Sequence, residues 1–284
     1  MCYNKCGDFM KANYHTHLEL CGHAVGMTED YVKVAIEEGF EVLGMSDHGP
    51  IKPEFMSPED FEYNWLSRQM TYEEFINIYL PDVKKVREKY RDKIKVLIGV
   101  EIEYLPQFRD YFEHIRSQVD YFNLAIHFFI HNGKIINAFD DINYQNVYSY
   151  ALHAKEAMET GLYQILVHPD VYMYCYRSKD GTSTFDDECE KVARCIIENA
   201  IKNNVYLEVN VGGIFKVTRH QKVLGQFAYP RDEFWRIASE YKDLKVVIGV
   251  DAHHPVQLQS FEISMAYEFA KKHNLHVYDF VETI

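Results

Sequence analysis

Short apolar runs recur along the chain, each followed by a longer stretch in which apolar residues return every three or four positions. The runs are Glu41–Ser46, Lys95–Val100, Tyr121–Ile126, Gln164–Val167, Val205–Asn210 and Lys245–Val250. They are too short for helices and rich in Val, Ile and Leu, so they read as buried strands, and Ala12–His17 brings the total to about seven. Between them the period changes. Glu29–Glu38 carries Tyr31, Val32, Ala35 and Ile36 on one helical face, and Thr71–Tyr90 does the same with Tyr72, Phe75, Ile76, Tyr79, Val83 and Val86. Ser149–Thr160, Asp186–Asn203, Arg231–Tyr241 and Gln259–His273 continue the series. Strands alternating with helices predict parallel pairing through crossover helices, hence an α/β barrel or an open doubly wound sheet. The segment from about Pro50 to Thr71, rich in Pro, Glu and aromatic residues, reads as a long loop over one end.

Composition fits that frame. With 284 residues and 47% hydrophobic content, the chain suffices for one large core over residues 1–284, and α/β barrels run to about 250 residues. Its beginning, Met1 to Asp8, is polar, and no run of about 18 apolar residues occurs, which predicts a cytoplasmic protein, neither exported by an ordinary signal nor membrane-spanning. The six cysteines show no CxxC pairing and no regular spacing, so reduced thiols are expected rather than a disulfide framework or a thiolate zinc knuckle. A formal net charge of −13 argues against a nucleic-acid partner, which needs a basic surface, and suits a protein that holds divalent cations.

The placement of polar residues then changes the picture. Ligand-type residues stand at the carboxyl ends of the strands: His15 and His17 on the first, Asp47 and His48 on the second, Glu101 on the third. His127 follows the fourth, His168 the fifth, and Asp251 and His253 the seventh. In barrels that is the face where active sites form. The sixth strand offers Glu208 and Asn210 instead. The i, i+2 spacing of His15 and His17 turns both rings to one side of an extended strand, and His23 follows six residues later. His114, His153, His273 and His276 fall in helical or C-terminal stretches and read as solvated surface residues.

Histidines and carboxylates converging without cysteine suit zinc, manganese or iron. Nine candidate ligands, namely His15, His17, His23, His48, Glu101, His127, His168, Asp251 and His253, exceed what one ion takes, so two or three ions are expected, with no organic cofactor. Two metals about 3.5–4 Å apart polarise a phosphoryl group and lower the pKa of a bridging water for in-line attack.

Taken together, His15-Thr16-His17, His23, Ser46-Asp47-His48-Gly49-Pro50, Gly99-Val100-Glu101, Ala125-Ile126-His127-Phe128, His168-Pro169-Asp170 and Val250-Asp251-Ala252-His253 resemble the PHP (polymerase and histidinol phosphatase) superfamily, and most closely its histidinol-phosphate phosphatases. The resemblance implies a distorted (β/α)7 barrel with a trinuclear centre at the carboxyl ends of the strands. One ion would take His15, His17, Glu101 and Asp251; a second would share Glu101 and add His127 and His168; a third would take His23, His48 and His253. It also implies hydrolysis of a small phosphate monoester, L-histidinol phosphate, by metal-bound hydroxide. Asp251 and His253 lie where a proton could pass to the leaving group.

Ser67 to Phe75, followed by Lys84 to Tyr90, looks like the segment these phosphatases carry between their second and third strands. A phosphate dianion also needs cations beyond the metals, and Arg177 and Arg219 are the candidates, with Lys216 or Arg231 able to replace Arg219. The loop expected after the sixth strand, Val211 to Lys216, departs from the wording usual in the family. Two other readings stand beside this one: a PHP phosphoesterase acting on another phosphorylated metabolite or nucleotide, and a metal-binding domain without catalysis.

Overall fold

The computed structural model describes residues 10–50, 69–220 and 227–283, the side chains of residues 217–220 excepted. Seven parallel strands form one sheet in the order β1 (Ala12–Asn13), β2 (Val42–Met45), β3 (Lys95–Ile102), β4 (Tyr121–Leu124), β7 (Ile165–Leu166), β8 (Tyr206–Asn210) and β9 (Val246–Gly249). The sheet turns round on itself. A parallel bridge between Thr16 and Ala252 joins the continuations of β1 and β9, with His17 N donating to Ala252 O at 2.8 Å and Ala252 N to His15 O at 3.2 Å. Of the two architectures open at the level of pattern, this is the barrel, and all seven strands lie where the apolar runs placed them.

Alternation along the strands sorts the interior into layers. Val42, Leu97, Tyr121, Ile165, Tyr206 and Val247, one from each of six strands, are buried in a single apolar cluster. Two residues further along, β3 carries Gly99, where a Cβ would lie 2.3 Å from the Tyr121 ring; glycine is what lets that ring cross the barrel. Further again come Glu101, Glu208 and Asp251. The interior therefore changes from apolar to ionisable in the strand direction, and the ionisable end is the carboxyl end. The opposite strand faces, with Leu43, Met45, Val96, Ile98, Phe122 and Leu207, pack against the helices in a second, larger cluster.

The helix Thr28–Glu38, the long helical stretch ending in Leu80–Tyr90, and Val147–Glu159, Asp187–Lys202, Asp232–Ala238 and Phe261–Lys272 fall within a few residues of their predicted positions. Two helices were not anticipated, Arg109–Arg116 and Val211–His220. The second occupies the segment expected to be a loop. Its Val-Gly-Gly start hides the helix from pattern, yet Asn210 Oδ1 accepts from Gly213 N at 3.0 Å as a cap would. An antiparallel hairpin, β5 (Phe128–His131) and β6 (Lys134–Asn137), also leaves the sheet after β4. Its two-residue Asn132-Gly133 turn has positive φ at both positions, 50° and 74°, as a type I′ turn demands. The loop expected from about Pro50 to Thr71 falls largely outside the described residues. Among the described residues no helix is long and apolar enough to cross a membrane, and Cys21, Cys175, Cys189 and Cys195 are free thiols.

Candidate metal centre

Glu101, near the end of β3, stands at the middle of a buried histidine cluster. Its Oε1 lies 2.9 Å from His168 Nε2, 3.5 Å from His15 Nε2 and 3.6 Å from His127 Nε2. Its Oε2 lies 3.0 Å from His48 Nδ1 and 3.4 Å from His17 Nε2. Asp251 closes the other side, with Oδ1 3.1 Å from His17 Nε2 and 3.4 Å from His15 Nε2. The remaining trio, His23, His48 and His253, brings its ring nitrogens within 4.8 Å of one another. Backbone strain accompanies the cluster: His168 and Asp251 adopt φ of 32° and 54°, the left-handed region that non-glycine residues occupy at a cost of order 1 kcal/mol or more.

These residues fit metal ions on three grounds. The first is distance. Ligand bonds of about 2.0–2.1 Å at tetrahedral angles put neighbouring donor atoms roughly 3.3 Å apart, and the contacts of His15 and His17 Nε2 with Asp251 Oδ1 and with one or other oxygen of Glu101 run from 3.1 to 3.5 Å. The second is unmet polarity: His15 Nε2 and both ring nitrogens of His17 are buried without a hydrogen-bond partner, which is costly unless something else satisfies them. The third is charge. Burial opposes a cationic imidazole at His15, but Glu208, Asp251 and Glu101 outweigh it and raise the ring to about 10, so this pocket calls for positive charge. Burial holds His23 down to about 4 and likewise lowers His48, His127 and His253. Those four rings are neutral lone-pair donors at ordinary pH, the form that binds metal.

Partners beyond the cluster aim several rings. His15 Nδ1 donates to Glu208 Oε1 at 2.7 Å, and His127 Nδ1 to Glu103 Oε1 at 2.7 Å. His23 Nδ1 donates to Cys21 O and His253 Nδ1 to Asp251 O. In each case the lone pair is on Nε2. Gln257 Oε1 receives both His253 N and His254 N.

The PHP domain model matches residues 13–212, a span that takes in the cluster up to His168. The chain belongs to the PHP domain family. Histidinol-phosphatase of Bacillus subtilis (strain 168) is 22% identical to it over 287 residues, covering 91% of this chain and 97% of the relative. A crystal structure of histidinol phosphate phosphatase from Lactococcus lactis subsp. lactis Il1403, complexed with zinc, L-histidinol and phosphate, shares its fold. The TM-score is 0.68 at 16% identity, over 97% of this chain and 100% of the other.

In this PHP domain the cluster opens into a cavity of about 400 Å³ walled by Phe139, Phe215, Lys216, Tyr229 and Gln257 together with the histidines. Lys216 reaches it from the unanticipated helix. Its Nζ donates to Tyr229 Oη at 2.7 Å and lies 4.7 Å from the Phe139 ring centre, 4.9 Å from Tyr229 and 5.7 Å from Tyr174. Burial lowers its ammonium below the ordinary lysine range, against the pull of Asp251 and Glu101.

The arginines are placed differently. Arg177 is exposed, its guanidinium donating to Tyr176 O and Ser183 Oγ, and it does not line the cavity. Arg219 belongs to the helix Val211–His220, but its side chain lies outside the described residues, as do Ser67 and Arg68. Arg231 lines a separate cavity with Phe227, Asp232 and Lys272. His153, expected at the surface, is buried and bonds Tyr104 O through Nε2 at 2.6 Å. Sequence reasoning missed Glu103 and Gln257 altogether and left Glu208 without a role. No local motif marks them: Glu103 and Glu208 meet their rings only in the folded chain, and Gln257 holds the backbone N–H groups of His253 and His254.

Proposed function

We propose that this PHP domain hydrolyses a small phosphate monoester, L-histidinol phosphate, to L-histidinol and phosphate, using two or three divalent transition-metal ions (zinc, manganese or iron). The observation that carries the reading is the convergence of five imidazoles on the two oxygens of Glu101 beside a cavity that also receives the half-buried Lys216 ammonium. His15, His17, Glu101 and Asp251 would hold one ion, His127 and His168 with Glu101 a second, and His23, His48 and His253 a third. When bound, such ions polarise the phosphoryl group and supply a nucleophilic water at neutral pH.

The chain's own side chains do the rest. Lys216 offers its ammonium to the non-bridging phosphoryl oxygens, and the Tyr229 hydroxyl and three aromatic faces fix its direction. Asp251 and His253 act as ligands in this reading: with His253 Nδ1–H committed to Asp251 O and Nε2 to an ion, the ring has no proton to pass to the leaving group. Phe139, Phe215 and Tyr229 add apolar wall to the cavity, where the non-phosphate part of a small substrate would be shielded from water. The cavity volume falls in the range of small-ligand sites, about 300–1,000 Å³, which favours a metabolite over a polymer.

The test is a substrate panel with metal-loaded protein, comparing kcat/KM for L-histidinol phosphate, sugar phosphates, nucleoside monophosphates and a generic aryl phosphate. Histidinol phosphate is expected to lead. Preference for another ester by orders of magnitude would overturn the substrate and leave the metal centre standing; protein that takes up no metal would overturn both.

A further inference from the structure

Glu208 ends on the one strand that carries no ligand of the cluster, and neither of its oxygens faces an ion site directly. Oε1 accepts from His15 Nδ1 at 2.7 Å. Oε2 accepts from the backbone N of His168 at 3.0 Å and from Asn210 Nδ2 at 2.7 Å. We propose that Glu208 is a positioning residue that couples two metal sites, fixing the His15 ring of one and the His168 backbone of the other through a single buried carboxylate. The inference rests on the reading of those histidines as ligands.

A carboxylate only accepts, so His15 must carry its proton on Nδ1 and turn its Nε2 lone pair toward Glu101 and Asp251. The same carboxylate pins the backbone of His168, a residue held in the left-handed region, and so sets where that ring starts. Asn210 braces the arrangement, giving its amide N–H to Glu208 while its Oδ1 accepts from Gly213 N. The neighbouring strand makes room: a Cβ at Gly249 would lie 1.7 Å from Glu208 Oε1. Glu103 provides the contrast. Its oxygens go to His127, through Nδ1 and the backbone N, and to the backbone of the next residue, Phe128, so it serves a single site.

Glutamine is the sharp substitution at position 208. If its carbonyl turns to His168 and Asn210, its amide donates toward His15 and forces that ring into the Nε2–H form, which cannot ligate. Should the carbonyl turn to His15 instead, the amide faces two donors. One site is disturbed directly in either orientation, and the strain passes to the other.

Zinc titration of the full chain against a chromogenic chelator tests this with wild type, Glu208→Gln and Glu103→Gln, alongside thermal unfolding of each metal-free protein. Wild type is expected to bind at least two equivalents. Glu208→Gln should weaken two binding events, each about ten- to hundredfold, while Glu103→Gln weakens one. Glu208→Gln that binds like wild type, or that loses a single event, overturns the proposal. Wild type that binds no zinc overturns the metal reading instead. If the Glu208 variant does not fold, a long-range 1H–15N spectrum of zinc-loaded wild type decides: a proton on His15 Nδ1 is expected, and a proton on Nε2 refutes the assignment.

Discussion

Lys216 and Arg177 separate what residue type suggests from what position permits. Both are cations just after strand ends in sequence, but only Lys216 lines the cavity beside the histidine cluster. Replacing it by methionine keeps the bulk and removes the charge, so Lys216→Met should lower kcat/KM for a phosphate ester about ten- to hundredfold, the scale of a charge-assisted contact. Metal content should match wild type. Arg177→Ala should stay within about twofold of wild type, and steady-state kinetics with elemental analysis check both. Most candidate ligands were legible in the sequence because they stand at the end of an apolar run; His23, beyond the first strand, was read only with the motif set. Glu103, Glu208 and Gln257 were not legible, because their partners lie far along the chain or in a local turn that no pattern marks. His153 shows the same limit: the helix Val147–Glu159 buries Tyr150, Ala154 and Ala157 around it, so its place on that arc outweighs its polarity. Burial holds it at about 4. An unfolded chain, with an ordinary histidine near 6.5, takes up a proton as pH falls through that value while the fold refuses it until about 4. Stability from this group is therefore complete above about pH 6.5 and is lost on acidification. Between about pH 7.5 and 5, wild type should lose roughly 2 kcal/mol more than His153→Gln in urea denaturation; equal losses would refute the argument.

At the scale of elements, strands were easier to read than the pieces between them. A strand buried on both faces announces itself as an apolar run, and all seven appeared. The helix Val211–His220 did not, because Gly212 and Gly213 depress helix propensity at its start. The structure gives a reason for both: a Cβ at Gly212 would sit 2.4 Å from Asp251 Oδ2, and a Cβ at Gly213 would sit 2.1 Å from Tyr229 O and 2.3 Å from that ring. Gly213 admits the segment that carries Tyr229, the hydroxyl partner of Lys216. Alanine would favour the helix by about 1 kcal/mol, but its neighbour is backbone and cannot swing aside. Gly213→Ala should therefore destabilise the protein by about 1–3 kcal/mol, the usual cost of overpacking, as measured by chemical denaturation. An unchanged midpoint would mean that the helix start can shift. The β5–β6 hairpin was legible in principle, since Asn-Gly between apolar runs is a strong turn signal; it went unread because the runs beside it are part-exposed and short.

For the molecule as a whole, the weak point of the ring is the seam between β1 and β9. Other neighbours pair through ladders, whereas this seam relies on the Thr16–Ala252 bridge and on one side chain. Asn13 is buried, and its Oδ1 accepts from Val250 N at 2.9 Å across the seam while its Nδ2 donates to His15 O and Thr16 Oγ1. The proposed ion held by His15, His17, Glu101 and Asp251 spans the same seam, joining residues after β1 to a residue after β9 and to β3. Metal binding at that proposed site would therefore reinforce barrel closure, and an ion at about 100 times its dissociation constant would add roughly 2.7 kcal/mol to the folded state. Chelating the metal should then raise amide hydrogen exchange first at His17 and Ala252, whose N–H groups form the seam bonds. Amides inside the β3–β4 ladder, paired from Gly99 and Tyr121 to Ile102 and Leu124, should keep their protection. Asn13→Ala should exaggerate the contrast in the metal-free protein and be partly masked when metal is restored. Exchange that rises evenly across all strands on chelation, or that leaves the seam amides protected, would show that the ring closes without help from the ions.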